Sequence, residues 1–208
     1  MKHRTIFPDR LTPELQDEVV AIVRNLYSWY APGHNIERMK ERLFGIPGSV
    51  IDLLLEEDHL AAFAITAPKA LSNSEVCAWR HGTIIDPEFQ SRGLYSQLIQ
   101  LSLTRDNPQW IATRTQNPRV YETWYKMFGD ALYPHPDKTH DPTIQKIGFE
   151  LAGGKHPFDP TTFVVQRAYT ESRSGADYHR CREEWIRNFF EKRLGTHDAI
   201  ILLVRVRA

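Results

Sequence analysis

A chain of 208 residues is long enough to bury a full hydrophobic core, and its length fits one domain spanning 1–208. Lys+Arg and Asp+Glu balance at 26 each, which excludes a global field for nucleic acid or an anionic membrane. The 41% hydrophobic residues fall in runs far shorter than a membrane span.

The first residues, Met1-Lys2-His3-Arg4-Thr5-Ile6, are basic but lack the apolar core of a secretion signal. Cys77 and Cys181 are far apart and form no CxxC pair, so both read as small buried hydrophobes in a reducing, cytoplasmic setting. Thr12-Pro13-Glu14 is a helix start: a hydroxyl cap, proline in the first turn, then an acid near the positive end. Leu15, Val19, Ile22, Val23, Leu26 and Tyr30 continue at helical spacing. Asn35 caps a second helix that ends at Gly45. Val50 to Leu55 and Leu60 to Thr66 read as a hairpin, Pro68 to Ser74 as a polar loop, and Glu75 to Ile85 as a long strand whose Gly82 marks a bulge or a splay.

Next comes Thr83-Ile84-Ile85-Asp86-Pro87-Glu88-Phe89-Gln90-Ser91-Arg92-Gly93-Leu94-Tyr95-Ser96, a strand end, a polar turn and a helix with an apolar face of Leu94, Leu98, Ile99 and Leu101. A helix start presents unpaired backbone N–H groups and a positive dipole end that suit a phosphate. Gly93 allows close backbone approach and Arg92 adds fixed charge, although an ordinary loop with Arg92 in solvent has the same pattern. Trp110 to Thr115 is a further strand, and Asn117-Pro118 opens a helix closed by Gly129. Residues 130–161 are rich in Pro, His and Asp and read as an irregular insertion. Phe163 to Tyr169 reads as a strand, Tyr178 to Leu194 as a helix and Ala199 to Val206 as an apolar strand that pairs within the chain or across a homodimer.

Gln90-Ser91-Arg92-Gly93-Leu94-Tyr95 resembles the Q/R-x-x-G-x-G/A signature of the GNAT superfamily of acyl-CoA N-acyltransferases, with Tyr95 standing where the pattern has a small residue. Ile85-Asp86-Pro87-Glu88-Phe89 resembles the lead-in to that signature, and the element order from Leu11 to Phe128 resembles the family's. The resemblance implies an α+β fold, a mixed sheet flanked by helices, and direct transfer of an acyl group from acetyl-CoA or another acyl-CoA to a primary amine of a small molecule. It implies that the backbone of Thr83, Ile84 and Ile85 holds the pantetheine arm in a gap between parted strands. Gln90, Ser91, Arg92, Gly93, Leu94, Tyr95 and Ser96 would hold the diphosphate, with Asn117 and Trp124 as further cofactor contacts.

An amine nucleophile must lose a proton and a departing thiolate gains one. His81, nine residues before Gln90, resembles the base of arylalkylamine-type members, and a histidine titrates near neutrality. The family's usual tyrosine acid falls on Trp124, which cannot supply a proton, so Tyr125 and Tyr121 are the candidate acids. Each of the three residues is equally readable as a structural side chain. Tyr27, Trp29, Tyr30 and His34 form a candidate wall for the acceptor, and Glu75 is a further acidic candidate beside it. The run His135 to Asp141 has metal-capable residues without a ligating pattern, so no metal is expected. The competing class is an acyl-CoA-binding or interaction module that keeps the fold without the chemistry. A third option is modification of protein amines.

Overall fold

The computed structural model describes residues 1–31, 33–136, 138–139, 141–169 and 181–207. The chain forms two compact units, one of residues 1–69 and 78–107, the other of residues 70–77 and 108–208.

In the first unit the strands follow the order β1 (Lys2–Ile6), β2 (Val50–Glu56), β3 (His59–Ala70) and β4 (Val76–Ile85). The β2 and β3 runs are buried along nearly their whole length because helices cover both faces of this sheet. Helix α1 (Pro13–Tyr30), capped by Thr12, and α2 (Ile36–Phe44), capped by Asn35, pack Val23, Leu26, Met39 and Leu43 against Leu53, Phe63 and Ile65. Helix α3 (Leu94–Asp106) sets Leu94 and Leu98 on Leu54, Ala62 and Ala64. The alanines let α3 lie close to the sheet, and each buried leucine contributes roughly 2 kcal/mol by leaving water.

Two departures from the sequence reading occur here. Strand β1 has no strand signal in its sequence because four of its residues are polar, yet it pairs antiparallel with β2 from Lys2↔Leu55 to Ile6↔Ile51. Strand β3 also runs on through Pro68, expected in a loop, to Ala70. The β2 register ends at Val50↔Thr66, so the missing Pro68 N–H leaves no β2 carbonyl unpaired.

In the second unit β9 (Ala199–Arg205) is buried between β5 (Trp110–Thr115) and β8 (Val164–Val165), which pairs with β7 (Phe158–Asp159). The short β6 (Leu132–Tyr133) also pairs with β9, at Leu132↔Val204. The final apolar strand thus finds its partners within its own unit. Helix α4 (Pro118–Phe128) is capped by Asn117. Of the helix expected over Tyr178 to Leu194 only α6 (Glu184–Glu191) forms among the described residues: residues 181–183 and 192–194 are not helical, and residues 178–180 lie outside the described residues.

Segment 130–161, expected to be irregular, contains β6, β7 and a full helix, α5 (Pro142–Ala152). Asp141 caps α5 by accepting from the Thr143 and Ile144 amides, and Ile144, Ile147 and Leu151 bury one face. Gly148 lets α5 touch the Phe163 ring, where a Cβ would fall 2.6 Å from Cε1. The strand expected over Phe163 to Tyr169 shrinks to Val164–Val165, because Phe163 (φ 61°) and Arg167 (φ 50°) leave the extended region.

Cys77 and Cys181 are buried and form no disulfide, and burial pushes the Cys181 thiol up to about 11. Among the described residues no helix is long and apolar enough to cross a membrane, and no cluster of three or more His, Cys, Asp or Glu could hold a metal. Asp137 and His140 of the metal-capable run lie outside the described residues.

Candidate functional site

The expected diphosphate loop is built in the first unit. The β2–β3 register slips between Leu54↔Ala62 and Leu55↔Leu60, leaving Ala61 as the extra residue of a bulge. The Ala61 carbonyl then accepts the Asp86 amide at 2.9 Å, which pins the end of β4. Asp86 caps a short 3-10 turn, Pro87–Phe89, by accepting from the Glu88 amide, and its other carboxylate oxygen meets His59 Nε2 at 3.0 Å. His59 in turn lies flat on Phe89, ring centroids 5.3 Å apart.

Beyond Phe89 the backbone enters the left-handed region on both sides of Arg92, with Ser91 at φ 65° and Gly93 at φ 78°. Such alternation turns successive N–H groups toward one concavity, the backbone geometry of an anion nest. Helix α3 starts directly after it with no side-chain cap, so its first amides face outward without a competing carboxylate or hydroxyl. A Cβ built on Gly93 would meet nothing within 4 Å, so the space above it is open to a ligand. Arg92 lies over the Phe89 ring at 4.6 Å and pairs with Glu56 at 3.6 Å. These residues fit a diphosphate in charge, backbone conformation and access.

Strand β4 carries the expected pantetheine contacts. Ile84 belongs to the core under α1 and α2, whereas Ile85 packs with α3. Arg80, an even number of residues before Ile84, should share its face. Instead its guanidinium lies under α3, donating to the Leu98 carbonyl at 3.2 Å and to Ser102 Oγ at 3.1 Å. The alternation therefore slips once between Arg80 and Thr83, around Gly82, where the sequence marked a bulge or splay. Arg80 Nη2 also donates to Thr83 Oγ1 at 2.7 Å, and the guanidinium stands 5.5 Å from the centre of the Tyr95 ring. Tyr95, the bulky departure from the signature, thus covers a buried cation. Arg80 is 2% exposed; burial lowers the affinity of its guanidinium for a proton, with Tyr95 and Asp52 opposing that effect.

His81 is exposed on β4 and meets the Trp79 ring edge-on at 6.3 Å, with Lys69 above the same indole at 5.6 Å. Of the expected acceptor wall, Trp29 and Tyr30 are exposed, while buried Tyr27 bonds through its hydroxyl to His34 Nδ1 at 2.8 Å.

In the second unit Asn117 caps α4 by accepting from the Arg119 amide at 2.9 Å. Tyr121 is fully buried and donates its hydroxyl proton to the Pro134 carbonyl at 2.9 Å. Trp124, expected as a cofactor contact, is completely enclosed and packs against Phe128, so it serves the core. Tyr125 is half-buried and rests against Trp185 at 5.1 Å, and it is the one α4 tyrosine whose hydroxyl is not bound to that carbonyl. Glu75, expected near the acceptor, is held by the Trp110 indole N–H, Asn73 and Arg205, and the Trp110 bond leads in lowering its carboxyl below the usual range.

The sequence reading missed Arg80 and the Ala61 bulge. The signal for Arg80 was a cation at the centre of a strand between apolar Cys77 and Ala78 on one side and Ile84 on the other, where only a bonded role is tolerated.

The arrangement of strands, helices and loop is the acyl-CoA N-acyltransferase (GNAT) fold. The chain superposes on the ribosomal-protein-S18-alanine N-acetyltransferase of Escherichia coli with a TM-score of 0.52 at 12% identity, covering 100% of this chain and 96% of that one. It is also similar to an aminoglycoside acetyltransferase from an uncultured soil metagenomic sample (TM-score 0.48, 12% identity, 67% of this chain and 93% of that one). An aminoglycoside N-acetyltransferase in complex with CoA gives a TM-score of 0.47 at 16% identity, over 67% of this chain and 91% of that one. No protein-family model and no curated protein sequence matches the chain.

Proposed function

We propose that the protein is an acetyl- or acyl-CoA-dependent N-acyltransferase that moves the acyl group directly to a primary amine of a small molecule. One observation carries this reading: the uncapped start of α3 follows two left-handed residues, Ser91 and Gly93, and opens onto free space. In this reading Gln90 to Ser96 hold the diphosphate and the backbone of Thr83, Ile84 and Ile85 holds the pantetheine arm. Asn117 is a further cofactor contact. His81, exposed on β4, takes the amine proton. Tyr125 returns a proton to the leaving thiolate, since the Tyr121 hydroxyl is bonded to a carbonyl inside the core. The balanced charge of 26 basic and 26 acidic residues favours a small acceptor over nucleic acid, and two buried cysteines outside any disulfide fit a cytoplasmic setting.

The second reading is a non-catalytic acyl-CoA-binding module, favoured by enclosed Trp124 and core-bonded Tyr121. Thermal denaturation with CoA tests the shared first step, because a ligand at 100 times its Kd stabilises by about 2.7 kcal/mol. Thiol release from acetyl-CoA with a panel of amines then separates the two. Turnover that falls at least tenfold in His81→Ala or Tyr125→Phe supports the enzyme. Binding with no turnover for any amine supports the module, and no shift with CoA refutes both.

A further inference from the structure

Lys69, Trp79 and His81 meet on one face of the first unit. Side chains alternate along a strand, so with Arg80 under α3, Trp79 and His81 point to the opposite face, the one that α1 and α2 cover. Trp79 is half-buried, and the exposed His81 ring meets it edge-on, centroids 6.3 Å apart and planes at 82°. Lys69, half-buried next to the last residue of β3, holds its ammonium 5.6 Å from the centre of the same indole. One indole is therefore flanked by a titratable imidazole and by a cation. Of these three side chains, the acyl-transfer reading uses His81 alone.

In that reading the cofactor comes from the C-terminal end of β4: the diphosphate lies at Gln90 to Ser96, and the arm runs back along Thr83 to Ile85 toward His81. Trp79 lies two residues further from the loop, about 7 Å at roughly 3.3 Å per residue. The acceptor must bring its amine to His81 from outside the space the cofactor fills, which leaves the side of the indole. We infer that the acceptor is an amino acid whose carboxylate pairs with the Lys69 ammonium while its amine reaches His81 across Trp79. This rests on the acyl-transfer reading and names its substrate class. An ammonium has three N–H donors, and its attraction to a ring face needs only charge, so it can hold a carboxylate while staying over the indole. The same charge repels polyamines. In the transfer the amine nitrogen bonds to the thioester carbon as the C–S bond breaks. His81 takes the proton that the amine loses, and the leaving thiolate gains one. The carboxylate is unchanged, so Lys69 and Trp79 set specificity without touching a reacting atom.

Matched acceptors test this on the wild-type full chain with acetyl-CoA. A series of amino acids with rising separation between amine and carboxylate is compared with the corresponding amides, which keep the amine and lose the negative charge. Uncharged amines and diamines complete the panel. At the best separation kcat/KM should be roughly ten- to hundredfold higher for the acid than for its amide, the range of one charge-assisted hydrogen bond, and the gain should sit in KM. Lys69→Met should bring that ratio close to one. Lys69→Glu should invert it, so that diamines are used in preference to amino acids. A lysine that only supported the fold would weaken all acceptors together and would not exchange one charge preference for another. Equal use of acids and amides by wild type, or a preference that survives Lys69→Met, overturns the carboxylate site and leaves acyl transfer standing. Acylation of uncharged amines or diamines alone does the same. If wild type acylates no amine of the panel, the carboxylate site and the acyl-transfer reading fall together.

Discussion

Arg92 Nη1 lies 3.6 Å from the carboxylate of Glu56, across the mouth of the loop that starts α3. Both side chains are about half exposed, so the pair is worth no more than about 1 kcal/mol. A diphosphate would draw Arg92 away from Glu56. Glu56→Gln should therefore tighten CoA binding by up to about fivefold, and Arg92→Ala should weaken it by about tenfold or more. Titration calorimetry at low and high salt checks both, with the difference shrinking as salt rises.

Gly93 tests the same loop through the backbone. At φ 78° an L-residue is strained by roughly 1–2 kcal/mol, while a Cβ there meets nothing within 4 Å in the protein. Gly93→Ala should lower the unfolding free energy by about that amount and leave the fold intact. CoA affinity should fall by more than the strain explains, because the added methyl occupies ligand space. Denaturant unfolding with and without CoA separates the two contributions.

Asp52 is fully buried and accepts from Arg105, His3 and Thr5, tying β1 and α3 to the centre of the first unit. Arg105→Met takes the guanidinium from this buried carboxylate, leaving His3 and Thr5 as its hydrogen-bond donors, and should cost up to about 3 kcal/mol. Adding Asp52→Asn removes that charge, so the double variant should be more stable than Arg105→Met alone. Urea denaturation of the four proteins gives the coupling energy directly.

Glu122 sets an acid dependence in the second unit. Burial raises its carboxyl, but Lys126, the Arg182 amide and the Cys181 thiol together outweigh burial and hold it below the usual carboxylate range. A depressed carboxyl stabilises the fold above its unfolded pKa, and that contribution disappears as pH falls through the folded value. Glu122→Gln should melt lower than wild type at pH 7, and the gap should close as pH drops below about 4.5. Melting temperatures of both proteins from pH 7 to pH 3 provide the check.

The helix starts at Thr12, Asn35 and Asn117 and the loop from Asp86 to Gly93 were legible in the sequence, because a cap or a tight turn is fixed by residues within four of each other. Asp141-Pro142 carried the same signal for α5, obscured by the Pro-, His- and Asp-rich run before it. Strand β1 was not legible, since its pairing with β2 compensates for a polar pattern that no local rule favours. Folding decided that Trp124 is enclosed while Tyr125 stays half-buried, and that Ala61 bulges to hold Asp86. It also set the Arg80 guanidinium under α3, bonded to Thr83. Caps and periods act over one helical turn, which the order of residues encodes directly. The direction of a hydroxyl proton or the burial of an indole depends on which distant segments close around it, and only the assembled chain fixes that.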